Sequence, residues 1–180
     1  MPKLSLTSLL WMLIVVATAA MALLLLTSSG DDSRMRSGGL DKAVERDLAF
    51  QARVAFLQKV YAPVEALLAE GNPQAALLKL DELGRDYPGD AHGYLLRGEI
   101  LRGMGVLDQA IANYVRALKL DGDYLEQAGP LSRRTEIRQL VDLGLSELGP
   151  KARSNPDNRS LAVTVRELHY LQSRLAGGCE

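Results

Sequence analysis

Residues 91–124 read AHGYLLRGEILRGMGVLDQAIANYVRALKLDGDY, and this stretch decides the fold. Gly105 marks the end of a first helix, because glycine adopts the left-handed backbone that closes a helix at little steric cost. Ala110 keeps the start of a second helix narrow, so the two helices can approach closely. Asp108 stands near that helix start, where a carboxylate suits the positive end of the helix dipole.

A shift of thirty-four residues toward the N-terminus meets the same pattern again. Leu67 falls on Leu101, Gly71 on Gly105, Ala76 on Ala110, Leu77 on Ile111, Leu80 on Tyr114 and Leu83 on Ala117. These are positions where two packed helices touch. Asn72-Pro73 supplies a cap and a first helical residue for the earlier copy.

Residues 91–124 resemble a tetratricopeptide repeat, with Tyr94, Gly98, Leu101, Gly105, Ala110, Tyr114 and Ala117 at the family's signature positions. Residues 57–90 resemble a weaker copy that carries Leu67, Gly71, Ala76, Leu80 and Pro88. The departures are Arg97 and Pro63 at a position usually held by leucine, Val64 in place of the small residue matched by Gly98, and Gly122 in place of the terminal proline. Pro63 lacks an amide donor and is expected to shorten or kink its helix. The resemblance implies an all-α fold: a short α-solenoid of two such hairpins over residues 57–124, with flanking helices as caps.

In this family the first helix of each pair lines a concave face. The resemblance therefore places Gln58, Tyr61, Glu65 and Leu68, with His92, Leu95, Glu99 and Arg102, on a partner-binding groove. Helical spacing agrees, since Tyr61, Glu65 and Leu68 share one stripe and the shift of thirty-four carries them to Leu95, Glu99 and Arg102. Each helix offers an apolar residue and a glutamate, which suits a short helix or extended segment with an apolar anchor and some basic character. The lysine and asparagine set by which relatives clamp acidic C-terminal tails is missing from these positions.

The flanks supply the caps. Val44, Leu48, Ala52, Ala55 and Val60 recur at roughly helical spacing, so residues 40–56 read as a flanking helix covering the first pair. Within residues 125–180, Ile137, Leu140, Val141, Gly144, Leu145 and Leu148 form one face of a helix that Gly149-Pro150 is expected to stop. Asn155-Pro156-Asp157 opens another, with Leu161, Val165, Leu168, Gln172 and Leu175 on its face, to complete a capping hairpin before Gly177-Gly178.

The first thirty residues are of another kind. No charged side chain lies between Leu4 and Gly30, and Leu4–Leu26 as a helix extends roughly 34 Å, enough to cross a bilayer's hydrocarbon core of about 30 Å. Ala17-Thr18-Ala19 and Ala20-Met21-Ala22 offer signal-peptidase sites, but cleavage would leave Leu23–Leu26 exposed at a new terminus, so residues 1–30 read as an uncleaved transmembrane anchor. Residues 31–39 are small and charged and read as a flexible tether. Lys3 favours a cytoplasmic N-terminus, which places the remainder outside, periplasmic in a bacterial inner membrane.

Composition excludes several classes. Twenty-one basic and twenty-two acidic residues, dispersed along the chain, create no field for nucleic acid. Two histidines and one cysteine are too few for a zinc site of nitrogen and sulfur ligands, and no internal disulfide is possible. His92 and His169 read as solvent-facing side chains, Cys179 as a tail residue, and the acids around Gly30 and Asp121 as turns without calcium-loop spacing. No nucleophile elbow, phosphate-binding glycine loop, paired-histidine or dinucleotide motif occurs, so no catalytic residue, metal or cofactor is assigned.

The expected function is a membrane-anchored scaffold that binds a polypeptide partner during extracytoplasmic assembly or biogenesis. Its layout is similar to the periplasmic repeat subunits of bacterial cytochrome c maturation, and equally to pilus and outer-membrane assembly factors. The alternative is an accessory subunit whose transmembrane helix, with its small Ala17, Ala19, Ala20 and Ala22, packs into a larger membrane complex.

Overall fold

The computed structural model describes residues 42–177, together with Val16, Thr18 and Met21. The chain divides into two compact units, Met1–Arg53 and Val54–Glu180. In the first, the described residues are helical and, apart from Phe50 and Arg53, exposed. Between residues 42 and 177 the chain forms α1 (residues 42–69), α2 (Pro73–Asp86), α3 (Ala91–Gly103), α4 (Leu107–Leu120), a 3₁₀ helix (Gly122–Leu125), α5 (Arg134–Ser154) and α6 (Arg159–Leu175). No strand occurs among the described residues, and the fold is all-α.

Two of the turns are copies of one another. Gly71 and Gly105 take φ of 75° and 78°, the left-handed region that glycine enters without a Cβ clash. Behind Gly71, the Asn72 amide donates to the Leu67 carbonyl (2.9 Å) and the Gly71 amide to that of Leu68 (2.9 Å). Behind Gly105, the Val106 amide donates to Leu101 (2.9 Å) and the Gly105 amide to Arg102 (3.0 Å). Both are the paired closure that satisfies the last carbonyls of a helix, and every donor and acceptor in the second lies thirty-four residues after its counterpart in the first. The helices that follow also end alike, with the Tyr87 amide on Leu83 (2.8 Å) and the Asp121 amide on Ala117 (2.9 Å). Their starts differ. The Asn72 side chain accepts from the Ala75 amide (3.2 Å), whereas Val106 has no side chain able to cap α4.

Each turn folds an antiparallel hairpin. In α1–α2, the rings of Phe56 and Tyr87 meet edge to face at 5.7 Å. In α3–α4, Gly98 lies under Tyr114 so closely that an added Cβ would stand 2.8 Å from a ring carbon, and Ala110 and Ala117 are completely buried. In α5–α6, Gly144 does the same for Leu168, whose methyl would lie 2.6 Å from a Cβ there. α3 is the central element: Ala91, His92, Leu95, Leu96, Gly98, Ile100 and Leu101 are all buried, because α2 and α4 both pack on it. α4 in turn meets α6, which buries Thr164, Leu168, Leu171 and Leu175. Arg134 fastens the far end by donating to the carbonyls of Leu125 and of Leu175, the latter one of the helix-terminal carbonyls that lack an intrahelical donor.

Several expectations from the sequence are corrected. α1 is one continuous helix across the expected boundary at residues 56 and 57, and it passes through Pro63 unbroken. Pro63 is exposed, so the carbonyl that loses its donor is on the side of the helix open to water. Val44, Leu48, Ala52 and Ala55, the apolar stripe expected of the flanking helix, are exposed. α5 likewise runs through Pro150 to Ser154 and stops before Asn155-Pro156, where the Asn155 amide and side chain cap the Lys151 carbonyl. α6 starts after Asn158, whose side chain accepts from the Leu161 amide (3.1 Å), and Leu171 rather than Gln172 faces the core. No helix of the described residues is long and apolar enough to cross a membrane. Apart from Val16, Thr18 and Met21, the anchor expected at 1–30 and the tether at 31–39 lie outside the described residues, as does Cys179.

Candidate partner-binding surface

The eight residues expected on the groove separate into three groups. Tyr61, His92 and Leu95 are buried, with 1%, 5% and 0% of their surfaces exposed, so they do not line an open face. Gln58 and Glu65 are exposed on α1, and Leu68, Glu99 and Arg102 are half-buried.

Tyr61 and His92 belong to a buried polar cluster. The Tyr61 hydroxyl donates to Asp90 Oδ2 (2.6 Å), and the other Asp90 oxygen accepts the His92 amide (3.1 Å) at the start of α3. His92 Nδ1 stands 3.2 Å from the Tyr124 hydroxyl, and its ring lies between the rings of Tyr61 and Tyr124. Burial, then the Asp90 hydrogen bond, holds the Tyr61 phenol well above its usual range, so it stays neutral and donates. The cluster joins α1, α3 and the 3₁₀ helix; a side chain read as solvent-facing is a core histidine because Tyr124 closes over it.

Glu99 is held by a residue the sequence reading passed over. Arg133 Nε donates to Glu99 Oε1 at 2.8 Å, with both side chains 23% exposed, and Arg133 also lies 3.7 Å from Glu136. Burial raises the Glu99 carboxyl above its ordinary value, and Arg133 opposes that rise. The same environment pushes up the neighbouring Tyr114 phenol, again chiefly through burial. Glu65, Glu99 and Arg133 stand thirty-four residues apart, so a third copy of the spacing supplies the counter-charge for the second. The segment before α5 thus lies against the α3 side chain that was expected to be open.

Two clefts flank these groups. One, of about 270 Å³, is lined by Tyr61, Asp81, Arg85, Asp90, Tyr94 and Arg97 among others; of its polar groups, Arg97 pairs with Asp81 and the Tyr61 hydroxyl donates to Asp90. The other, of about 290 Å³, lies where α1 ends, α2 begins and α3 ends; Leu68, Pro73, Ile100, Gly103 and Met104 give it apolar walls, and Glu99 its one charge. It brings together Leu68 and Glu99 of the expected set. Pro73, Ile100, Gly103 and Met104 were missed, since they sit at helix ends that only the hairpin turns bring side by side. A small apolar cleft with a single polar group fixes one side chain of a ligand by shape and orients it by charge.

Among the described residues, no three histidine, cysteine, aspartate or glutamate side chains converge to hold a metal ion. The chain matches no protein-family model, and no curated protein sequence matches it significantly.

Proposed function

We propose that this chain is a membrane-anchored, tetratricopeptide-like scaffold that binds a polypeptide partner and has no catalytic step of its own. Residues 1–30 are its anchor and the hairpins its binding part, a short solenoid held on the extracytoplasmic side during assembly of another protein. Tethering to a membrane raises the effective concentration of such a scaffold for a client confined to the same surface.

The observation that carries the reading is the Leu68–Glu99 cleft, which lies beside two hairpin turns with the same hydrogen-bond pattern. Recurrence of one hairpin at a fixed interval is what stacked helical repeats require. The cleft takes an apolar side chain of the partner, and Glu99 favours a basic residue next to it. Because Arg133 already occupies one Glu99 oxygen, the charge adds orientation more than affinity.

Photo-crosslinking in intact membranes tests the reading. A crosslinking amino acid at Met104, in the cleft, should capture a discrete partner, and one at Leu78, an exposed position on α2, should not. Equal capture at both positions, or none at Met104, removes the cleft from the function.

A further inference from the structure

The α5–α6 hairpin carries a groove of about 490 Å³ that none of the described elements fills, larger than either cleft above. Its walls are two helical stripes: Leu145, Gly149, Ala152 and Arg153 on α5, spaced at four, three and one, and Ala162, Val165 and His169 on α6, spaced at three and four. These stripes lie beside the faces that close the hairpin, since Gly144 and Leu168, their immediate neighbours, are the buried contact between the two helices. Among the lining residues, Gly149, Ala152 and Ala162 reach no further than a Cβ, and the Arg153 guanidinium stands 3.9 Å from where a Cβ on Gly149 would be. A floor of that kind lets a third helix approach to the roughly 8–10 Å axial distance of packed helices, with Leu145 and Val165 available to its side chains. An end hairpin that needs nothing further on it is usually polar on its outer face; five of the seven residues lining this groove are small or apolar.

Charge narrows the occupant. Both titratable residues lining the groove, Arg153 and His169, are basic, and no carboxylate lines it. In sequence, residues 145–169 carry four basic residues, Lys151, Arg153, Arg159 and Arg166, against Glu147, Asp157 and Glu167, in a chain whose net charge is −1. We infer that this groove is a second docking surface, for an amphipathic helix of a partner protein whose apolar stripe is flanked by aspartate or glutamate. The chemistry is opposite in sign to that of the Leu68–Glu99 cleft, so the two surfaces take different segments.

Selection from a phage-displayed library of amphipathic helices, with the faces randomised, tests this on the full-length protein in detergent. Helices enriched on the wild type should carry acidic flanks and lose at least tenfold in affinity against Ala162→Glu, which places a carboxylate at an exposed position of the trough; Arg153→Glu should turn the preference toward lysine. Met104→Arg, in the other cleft, should leave these helices bound. Circular dichroism that is the same for all variants keeps the comparison one of binding. The inference is overturned if no helix is enriched over the Ala162→Glu protein, if the enriched helices are basic or indifferent to charge, or if Met104→Arg alone abolishes them. It is also overturned if the wild type self-associates and Ala162→Glu makes it monomeric, since a second copy would then be the occupant.

Discussion

The α1–α2 and α3–α4 hairpins turn on Gly71 and Gly105 with the same hydrogen bonds, yet fill the space between their helices differently. The second sets Gly98 beneath Tyr114; at the positions thirty-four residues earlier the first has Val64 and Leu80, both buried. One hairpin combines no side chain with a large one, the other two of middling size. A turn is fixed by backbone conformation and tolerates little change, whereas an interior needs only a matched total volume. A second difference is electrostatic. Glu65 on the first hairpin is exposed, but its counterpart Glu99 is drawn into the structure by Arg133, because the chain continues past the second hairpin and lays a counter-charge against it.

The sharpest way to break the comparison is to give the second hairpin the first one's residue. Gly98→Val should cost about 3 kcal/mol in chemical denaturation, the upper part of the overpacking range, since the Tyr114 ring and the Ala110 carbonyl both stand in the way. Adding Tyr114→Leu should recover at least half of that loss. If Gly98→Val is tolerated on its own, the two interiors are not alternative solutions to one volume.

Arg133→Ala should cost roughly 2 kcal/mol at neutral pH, the worth of a hydrogen bond to a charged group with partial burial of the carboxylate left behind. Glu65→Ala should leave the melting temperature unmoved. The pH dependence follows from the direction of the Glu99 shift. Its carboxyl binds its proton more tightly in the folded chain than in the unfolded one, so its contribution to stability is fully present at low pH and is lost as pH rises through the raised folded value. Without Arg133 that rise is unopposed. The R133A penalty should therefore be greatest at neutral pH and shrink on acidification through the carboxylate range, and a penalty independent of pH would show that Arg133 acts by packing alone.

Gly71→Ala and Gly105→Ala test the likeness of the turns. No atom lies within 4 Å of an added Cβ at either, so the cost is backbone strain only, about 1–1.5 kcal/mol for each. The two values should agree within about 0.5 kcal/mol if the turns are equivalent, as additivity of independent sites allows. The smallest effect belongs to an interaction that only the second hairpin makes: the Arg116 guanidinium lies 4.2 Å from the centre of the Tyr94 ring, and Arg116→Ala should lower stability by about 0.5 kcal/mol.

Helix positions and hairpin turns were legible because they are local. Glycines at 71 and 105, a proline at 73 and alanines at 76 and 110 act through their own backbone or their own small volume, within a few residues of where they stand. The two prolines taken as breakers, Pro63 and Pro150, show where local reading fails: both are exposed, and packing on the opposite face of each helix outweighs one lost hydrogen bond. The groove residues were legible only in part. Tyr61, Leu95 and His92 have the spacing of an exposed stripe, but Asp90 and Tyr124 from two other elements close over two of them. Nothing in the spacing of α3 announces that Arg133, thirty-four residues on, will take Glu99.

The order of residues, by itself, determined that this chain is helical, that two of its hairpins share one interval, and where those hairpins turn, since each of these depends on interactions spanning a few residues. Only the tertiary structure decided which side of each helix is left open, because exposure is a property of what the rest of the chain places against a surface. It buried Tyr61, His92 and Leu95, left Leu68 beside Glu99 in a cleft, and kept a basic, small-residue trough open on the last hairpin.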